Sequence, residues 1–417
     1  MVTFMAWFFV SLLIAGVLVQ EWLLARHCAH VRTHRAQTPA LFAAQVSLED
    51  HHKAADYTVA KAHLAQVWLP MEAALLWFWT LGGGIENLDQ FWRAQNMSEL
   101  WGGVAMMLSF MLIGSVLELP LSMYRTFRIE ARFGFNRATP ALFAMDWLKS
   151  SALALVIGTP LLALILWLMQ RLGSQWWLAV WLVWLGFTLL MIWAFPRFIA
   201  PWFNKFTPLA DEALRARLEN LLTRNGFTSQ GVYVMDGSKR SSHGNAFFTG
   251  FGANKRIVFF DTLLAGLSAA EIEAVLAHEL GHFRRHHIQQ RLALIAFLSL
   301  LALAVLGWLS QMTWFYHGLG VQTPSHHTAL LLFSLLVPVA TLFFQPLMAQ
   351  LLRKHEFEAD AFAVAQTSAD DLIHALVKLY KENASTLTPD PFYSAFYDSH
   401  PPAPERIAHL SRLGQPR

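Results

Sequence analysis

The sequence predicts an α-helical multi-pass membrane protein, with seven transmembrane helices joined to a mainly helical polar domain that contains a small β-sheet. Three observations predict it. Of 417 residues, 55% are hydrophobic and only 14% are charged, whereas a soluble domain carries about a quarter charged residues. Seven apolar stretches approach the length of about 20 residues that a helix needs to cross a hydrocarbon core of about 30 Å. Two long polar stretches, 201–288 and 353–417, interrupt and follow them. The same composition excludes intrinsic disorder.

The apolar runs are 4–24, 65–85, 101–123, 151–169, 176–199, 292–312 and 328–351. The first lacks a basic leader and a small-residue cleavage site, so it is expected to be a retained span rather than a signal peptide. Basic residues are distributed unevenly among the loops. Arg26, Arg32, Arg35, Lys53 and Lys61 follow the first run, and Arg125, Arg128, Arg132, Arg137 and Lys149 follow the third. The opposite loops hold only Arg93 and Arg171. Because positive charge resists translocation, the N-terminus is expected outside, with both polar stretches in the cytoplasm, where they can form one domain. Trp176, Trp177, Trp308 and Trp314 suit an interfacial belt near span ends. The expected organisation is a five-span membrane region (1–200), a first part of the polar domain (201–288), spans six and seven (289–352) and a second part of the polar domain (353–417). Gly414, Gln415, Pro416 and Arg417 carry no ER-retrieval or lipidation signal, so a bacterial inner membrane is expected.

Charge and cysteine usage narrow the chemistry. The net charge is only +3 and the basic residues form no stripe, so the expected partner is the lipid bilayer and not nucleic acid. Cys28 stands alone, so a metal site must be built from His and carboxylates. Within the first polar stretch, 231–235 and 256–260 read as short strands. Ser268 followed by Glu271 reads as a capping box that opens a helix. The run Gly82, Gly83, Gly84 reads as a helix end or turn.

The capped helix carries His278-Glu279-Leu280-Gly281-His282. Histidines four apart project from one helical face and can grip one zinc ion. Glu279 is rotated about 100° from His278 and can hold a water at an open metal position, acting as general base and then as proton donor to the leaving amine. The apolar Ala274, Val275, Leu276 and Ala277 upstream suggest a buried site rather than two surface histidines. A catalytic zinc needs a third protein ligand. Glu356 and Asp360 share a helical face beside Ala359, Ala361 and Ala363, which permit close packing. Glu356 can ligate and Asp360 can orient a liganding imidazole, while Glu358 reads as part of a solvated acidic face. Spacing alone leaves the choice among these carboxylates open.

Together these motifs resemble the integral-membrane CAAX prenyl protease family of zinc metallopeptidases, over most of the chain. HELGH with His287 downstream is similar to that family's zinc helix, and Glu356 to Asp360 is similar to its E-x-x-x-D helix. The resemblance implies one Zn2+ held by His278, His282 and Glu356, with Asp360 and His287 supporting the ligands from behind. It also places Asn245 and Ala246 on a strand edge that holds an extended peptide, with Gly244 in place of the more usual Ser. His400-Pro401-Pro402 and Arg406 resemble the family's C-terminal segment. His400 is then expected to stabilise the oxyanion, and Arg406 to hold either the site's carboxylates or a substrate carboxylate. Residues 128–136 and 201–209 resemble the family's cytoplasmic loop and the approach to its catalytic domain. The implied fold encloses a water-filled chamber among seven spans. The implied activity is peptide-bond hydrolysis on prenylated or membrane-associated chains, with a further role in membrane-protein quality control. The rival from another class is a channel or transporter with a structural zinc domain, in which Glu72 and Glu118 would be pathway residues.

Overall fold

A computed structural model describes residues 1–227, 229–249 and 255–415; Pro416 and Arg417, read above for targeting signals, lie outside the described residues. Six helical segments are long and apolar enough to cross a membrane: Val2–Thr33, Glu99–Glu130, Pro140–Arg171, Gly173–Phe203, His287–Leu309 and His326–Gln366. Trp7, Val156, Leu182 and Phe297 are exposed on them. In water such surface would be a liability, whereas in a bilayer it faces lipid. Ser98 and Thr139 cap two of these helices by accepting from the backbone N–H three residues on.

The seventh expected span is not confirmed. Its apolar run falls in the helix Leu48–Trp79, whose first half carries Glu49, Asp50, Lys53, Asp56 and Lys61 and is too polar to enter hydrocarbon. The run also stops short of residue 85. Residues 80–83 form a turn with Gly83 in the left-handed region (φ 78°), and Ile85 belongs to the next short helix, Gly84–Arg93. The Gly82 to Gly84 run is therefore a turn and a helix start.

The polar domain is built around a mixed four-stranded sheet of β1 (Phe206–Pro208), β2 (Ser229–Met235), β3 (Ala246–Thr249) and β4 (Lys255–Phe260). Its spatial order is β1-β2-β4-β3, with β3 antiparallel to β4 and on an edge. The helix Ala269–Arg284 opens with the expected capping box between Ser268 and Glu271. Leu218, Leu221, Ile257, Leu276, Leu372 and Leu410 meet in a single core, so the two polar stretches pack as one body.

Two features bind this body to the membrane helices. Asn136, just after the third span, forms an isolated antiparallel bridge with Ser241. Arg240 donates to both carboxylate oxygens of Asp146 (2.7 and 2.9 Å) and to Asn204 Oδ1 (2.8 Å). Three cavities of about 690, 500 and 510 Å³ lie along this junction and between the helices. Trp68, Glu118 and Arg125 are each shared by a pair of them, so the cavities adjoin. Glu72 and Glu118, read above as possible pathway residues, line this interior space.

Candidate metal and catalytic centre

The centre forms where two helices come unusually close. A Cβ on Gly281 would lie 2.8 Å from Ala359 Cα, so only a glycine lets the helix Ala269–Arg284 approach the helix Gln345–Gln366 this far. Ala359 and Ala363, both fully buried, complete the close contact. The histidine face of one helix is thereby held against the carboxylate face of the other.

His278 Nε2 lies 3.4 Å from Glu356 Oε2, and His282 Nε2 lies 3.3 Å from Glu356 Oε1. The two imidazole nitrogens are 3.3 Å apart. Donor atoms of these three residues all fall within 4.8 Å of one another, with His278 and Glu356 buried. Glu356 Oε2 is a buried oxygen that no donor meets in hydrogen-bonding geometry, although His400 Nδ1 is only 2.7 Å away. Three lone-pair groups converging on one point are unfavourable unless a positive charge sits between them. The residues therefore fit a metal ion, which satisfies all three at once.

The surroundings reinforce that preference. His278 Nδ1 is 2.8 Å from Asp360 Oδ1, and Asp360 is fully buried. Burial alone would lower the His278 pKa, but Asp360 and Glu356 outweigh it and hold the value up at about 9. Arg406, also buried, donates through Nε to Asp360 Oδ2 (2.9 Å) and through Nη2 to Oδ1. Burial opposes its charge, yet Asp360 and Glu356 keep the guanidinium firmly protonated. Arg406 is thus bonded to one of the site's own carboxylates, Asp360.

Behind the second histidine lies a chain that the sequence shows only in part. His282 Nδ1 is 3.0 Å from His287 Nδ1, and His287 Nε2 is 3.0 Å from Glu358 Oε2. His355 stacks on His287 at 4.1 Å between ring centroids. Glu358, expected on a solvated face, is instead the terminal acceptor of this chain. Its contact spans 71 residues of sequence, so no local pattern could have revealed it.

Glu279 is half-buried and has no hydrogen-bond or ion-pair partner among the described residues, which leaves its carboxylate available to a water. His400 is exposed, with its ring beside Glu356. Asn245 is exposed and Ala246 begins β3, whose outer edge is unpaired among the described residues. Gly244, which stands in place of the more usual Ser, is clamped: Asn383 Oδ1 accepts from Gly244 N (3.1 Å) and Asn383 Nδ2 donates to Gly244 O (3.3 Å). Asn383 has no sequence signature and was missed.

Comparison with known proteins decides the family. The family model described as CAAX prenyl protease N-terminal, five membrane helices, matches residues 27–205, and that of peptidase family M48 matches residues 208–413. The chain belongs to peptidase family M48. The CAAX prenyl protease 1 homolog of Arabidopsis thaliana is 35% identical over 88% of this chain and 89% of its own length. The CAAX prenyl protease 1 of Saccharomyces cerevisiae is 36% identical over 73% of this chain and 70% of its own. The crystal structure of S. mikatae Ste24p superposes with a TM-score of 0.92, covering 97% of this chain and 99% of that one at 30% identity. This M48 chain is a membrane-embedded metalloprotease, and the channel reading is set aside.

Proposed function

We propose that this M48 protease is a zinc-dependent endopeptidase of the CAAX type, removing C-terminal tripeptides from prenylated proteins at the cytoplasmic membrane surface. The observation that carries it is the convergence of His278, His282 and Glu356 on one point, with Glu279 unengaged one residue along the helix. Bound there, zinc would polarise the scissile carbonyl and lower the pKa of water to about 7. The remaining work falls to the chain itself. Asp360, held by Arg406, accepts the His278 Nδ1 proton and so fixes which imidazole nitrogen is free to ligate. Glu279 takes a proton from the attacking water and returns it to the leaving nitrogen. The open edge of β3 straightens the substrate by main-chain pairing, and His400 donates toward the oxygen that becomes charged.

The names of the relatives support the prenylated substrate class, and the lopsided basic loops support a cytoplasmic site. Degradation of other membrane-associated chains and residence in a bacterial inner membrane belong to the same reading. The test is cleavage-site mapping by mass spectrometry on one peptide in farnesylated and unmodified forms. Cleavage after the modified cysteine, abolished by chelation and restored by Zn2+, is expected. Cleavage that ignores prenylation would remove the CAAX assignment, and cleavage that survives chelation would remove the metal. Glu279→Gln is expected to keep its metal while turnover falls about 10²- to 10⁴-fold; turnover at the wild-type level would reassign the base.

A further inference from the structure

A protease that cuts a fixed distance from a chain end must recognise that end, and Arg406 is unavailable for it because Asp360 occupies its guanidinium. The cavity of about 690 Å³ adjoins the centre through His400, whose Nδ1 lies beside Glu356. Two cations line it, Lys61 from the helix Leu48–Trp79 and Arg125 at the start of the π-helical segment Arg125–Glu130. Neither forms an ion pair or hydrogen bond among the described residues; the Lys61 ammonium rests over the Tyr57 ring at 3.9 Å. The carboxylate of Glu130 is held by the Tyr57 hydroxyl (2.7 Å) and lies 3.4 Å from His243, and its charge acts on Lys61 from a distance without forming an ion pair with it. Asp398 is the one carboxyl in the lining, and burial raises its pKa, which weakens it as a counter-charge. Leu24, Leu64, Leu121 and Trp68 supply apolar wall to the same cavity.

Unpaired cations in a partly enclosed cavity favour an anion. An apolar wall beside them favours aliphatic side chains on the same ligand. We infer that this cavity is the subsite for the leaving tripeptide, and that Lys61 and Arg125 bind its free C-terminal carboxylate. By this reading the two residues act as a ruler: the carboxylate docks on the cations, the aliphatic residues fill the wall, and the scissile bond is set at the metal. Both lie outside the zinc helix, on segments whose basic residues otherwise look like topological markers alone. The inference rests on the proposed CAAX-type activity and specifies how the substrate's end is read.

The experiment compares one prenylated peptide with a free C-terminal carboxylate and the same peptide as its C-terminal amide. Wild-type enzyme is expected to favour the acid by about tenfold or more in kcat/KM, mostly through KM. Lys61→Met and Arg125→Gln together are expected to bring the acid-to-amide ratio close to one, while Lys61→Arg with Arg125→Lys restores most of it. Because the readout is a ratio within one preparation, a partial loss of folded enzyme cancels. An equal rate on acid and amide in the wild type overturns the inference with no variant needed, as would result if the cations held a lipid phosphate. A preference that persists in the double variant also overturns it. Failure of the wild type to cleave either peptide would instead strike the proposed function.

Discussion

At the scale of single residues, His287 is placed to orient His282, one of the three proposed zinc ligands. With His282 Nε2 turned to Glu356 and His278, the ring must carry its proton on Nδ1, 3.0 Å from His287 Nδ1. His287 then accepts there and donates from Nε2 to Glu358. A carboxylate behind a ligating imidazole fixes its orientation and raises its basicity, and losing such support commonly costs about 10- to 100-fold in metal affinity. His287→Ala and Glu358→Gln are each expected to weaken Zn2+ binding by that order, read by competition with a chelator of known affinity. Affinity equal to wild type in both variants would show that the chain behind His282 is idle. Half of this relay was visible in advance: His287 follows HELGH and invites attention, but Glu358 looks like any surface acid until the two helices are packed.

Among the elements, the contact of Ala269–Arg284 with Gln345–Gln366 decides whether a site exists. Gly281→Ala sets two effects against each other. Alanine improves helix propensity by about 1 kcal/mol, whereas forcing a methyl against Ala359 backbone at 2.8 Å is overpacking, typically about 1–3 kcal/mol. Since backbone cannot rotate away as a side chain can, the second term wins. The expected outcome is a lower Tm together with weaker metal binding, and a stabilised variant with intact zinc content would contradict it. The start of the same helix gives a pH signature. Burial alone would raise the Glu271 pKa, but Lys378 (2.7 Å) and the Ser268 cap hold it below the ordinary 4.5. A carboxyl depressed by folding stabilises above its unfolded pKa, and that contribution disappears as the pH falls through the folded value. Glu271→Gln should therefore lower Tm relative to wild type at pH 7, and the gap should narrow at acid pH. A gap that widens on acidification would mean that the carboxylate is not the stabilising form.

Across the whole molecule, legibility followed the length scale of each interaction. Spans declare themselves through runs of apolar side chains, and the capping box and HELGH are local patterns, so all could be read from adjacent residues. The run 65–85 is not matched by an apolar helix of the same bounds, because hydropathy weighs composition without knowing that the helix Leu48–Trp79 begins with a polar half and ends before the turn at Gly83. Glu356 and Asp360 were legible as a pair, although their partners became definite only once the fold joined residues far apart in sequence. What lay beyond reach was the set of contacts holding the β3 segment to its surroundings: Asn383, Glu130 with His243, and above all Arg240. Arg240 ends the turn before β3 and clasps Asp146 on the helix Pro140–Arg171 with two parallel bonds, so the β3 edge proposed to hold substrate is registered against the membrane frame. A planar fork can make both bonds at once, and an ammonium cannot. Arg240→Lys keeps the charge and removes the fork, leaving Asn204 Oδ1 without its donor as well. The expected result is a modest fall in Tm but a clear rise in KM for a membrane-anchored peptide, with zinc content unchanged because the metal ligands stand on other helices. Should KM stay at the wild-type value while zinc is lost, the clasp would be supporting the metal helices instead of aligning the substrate strand.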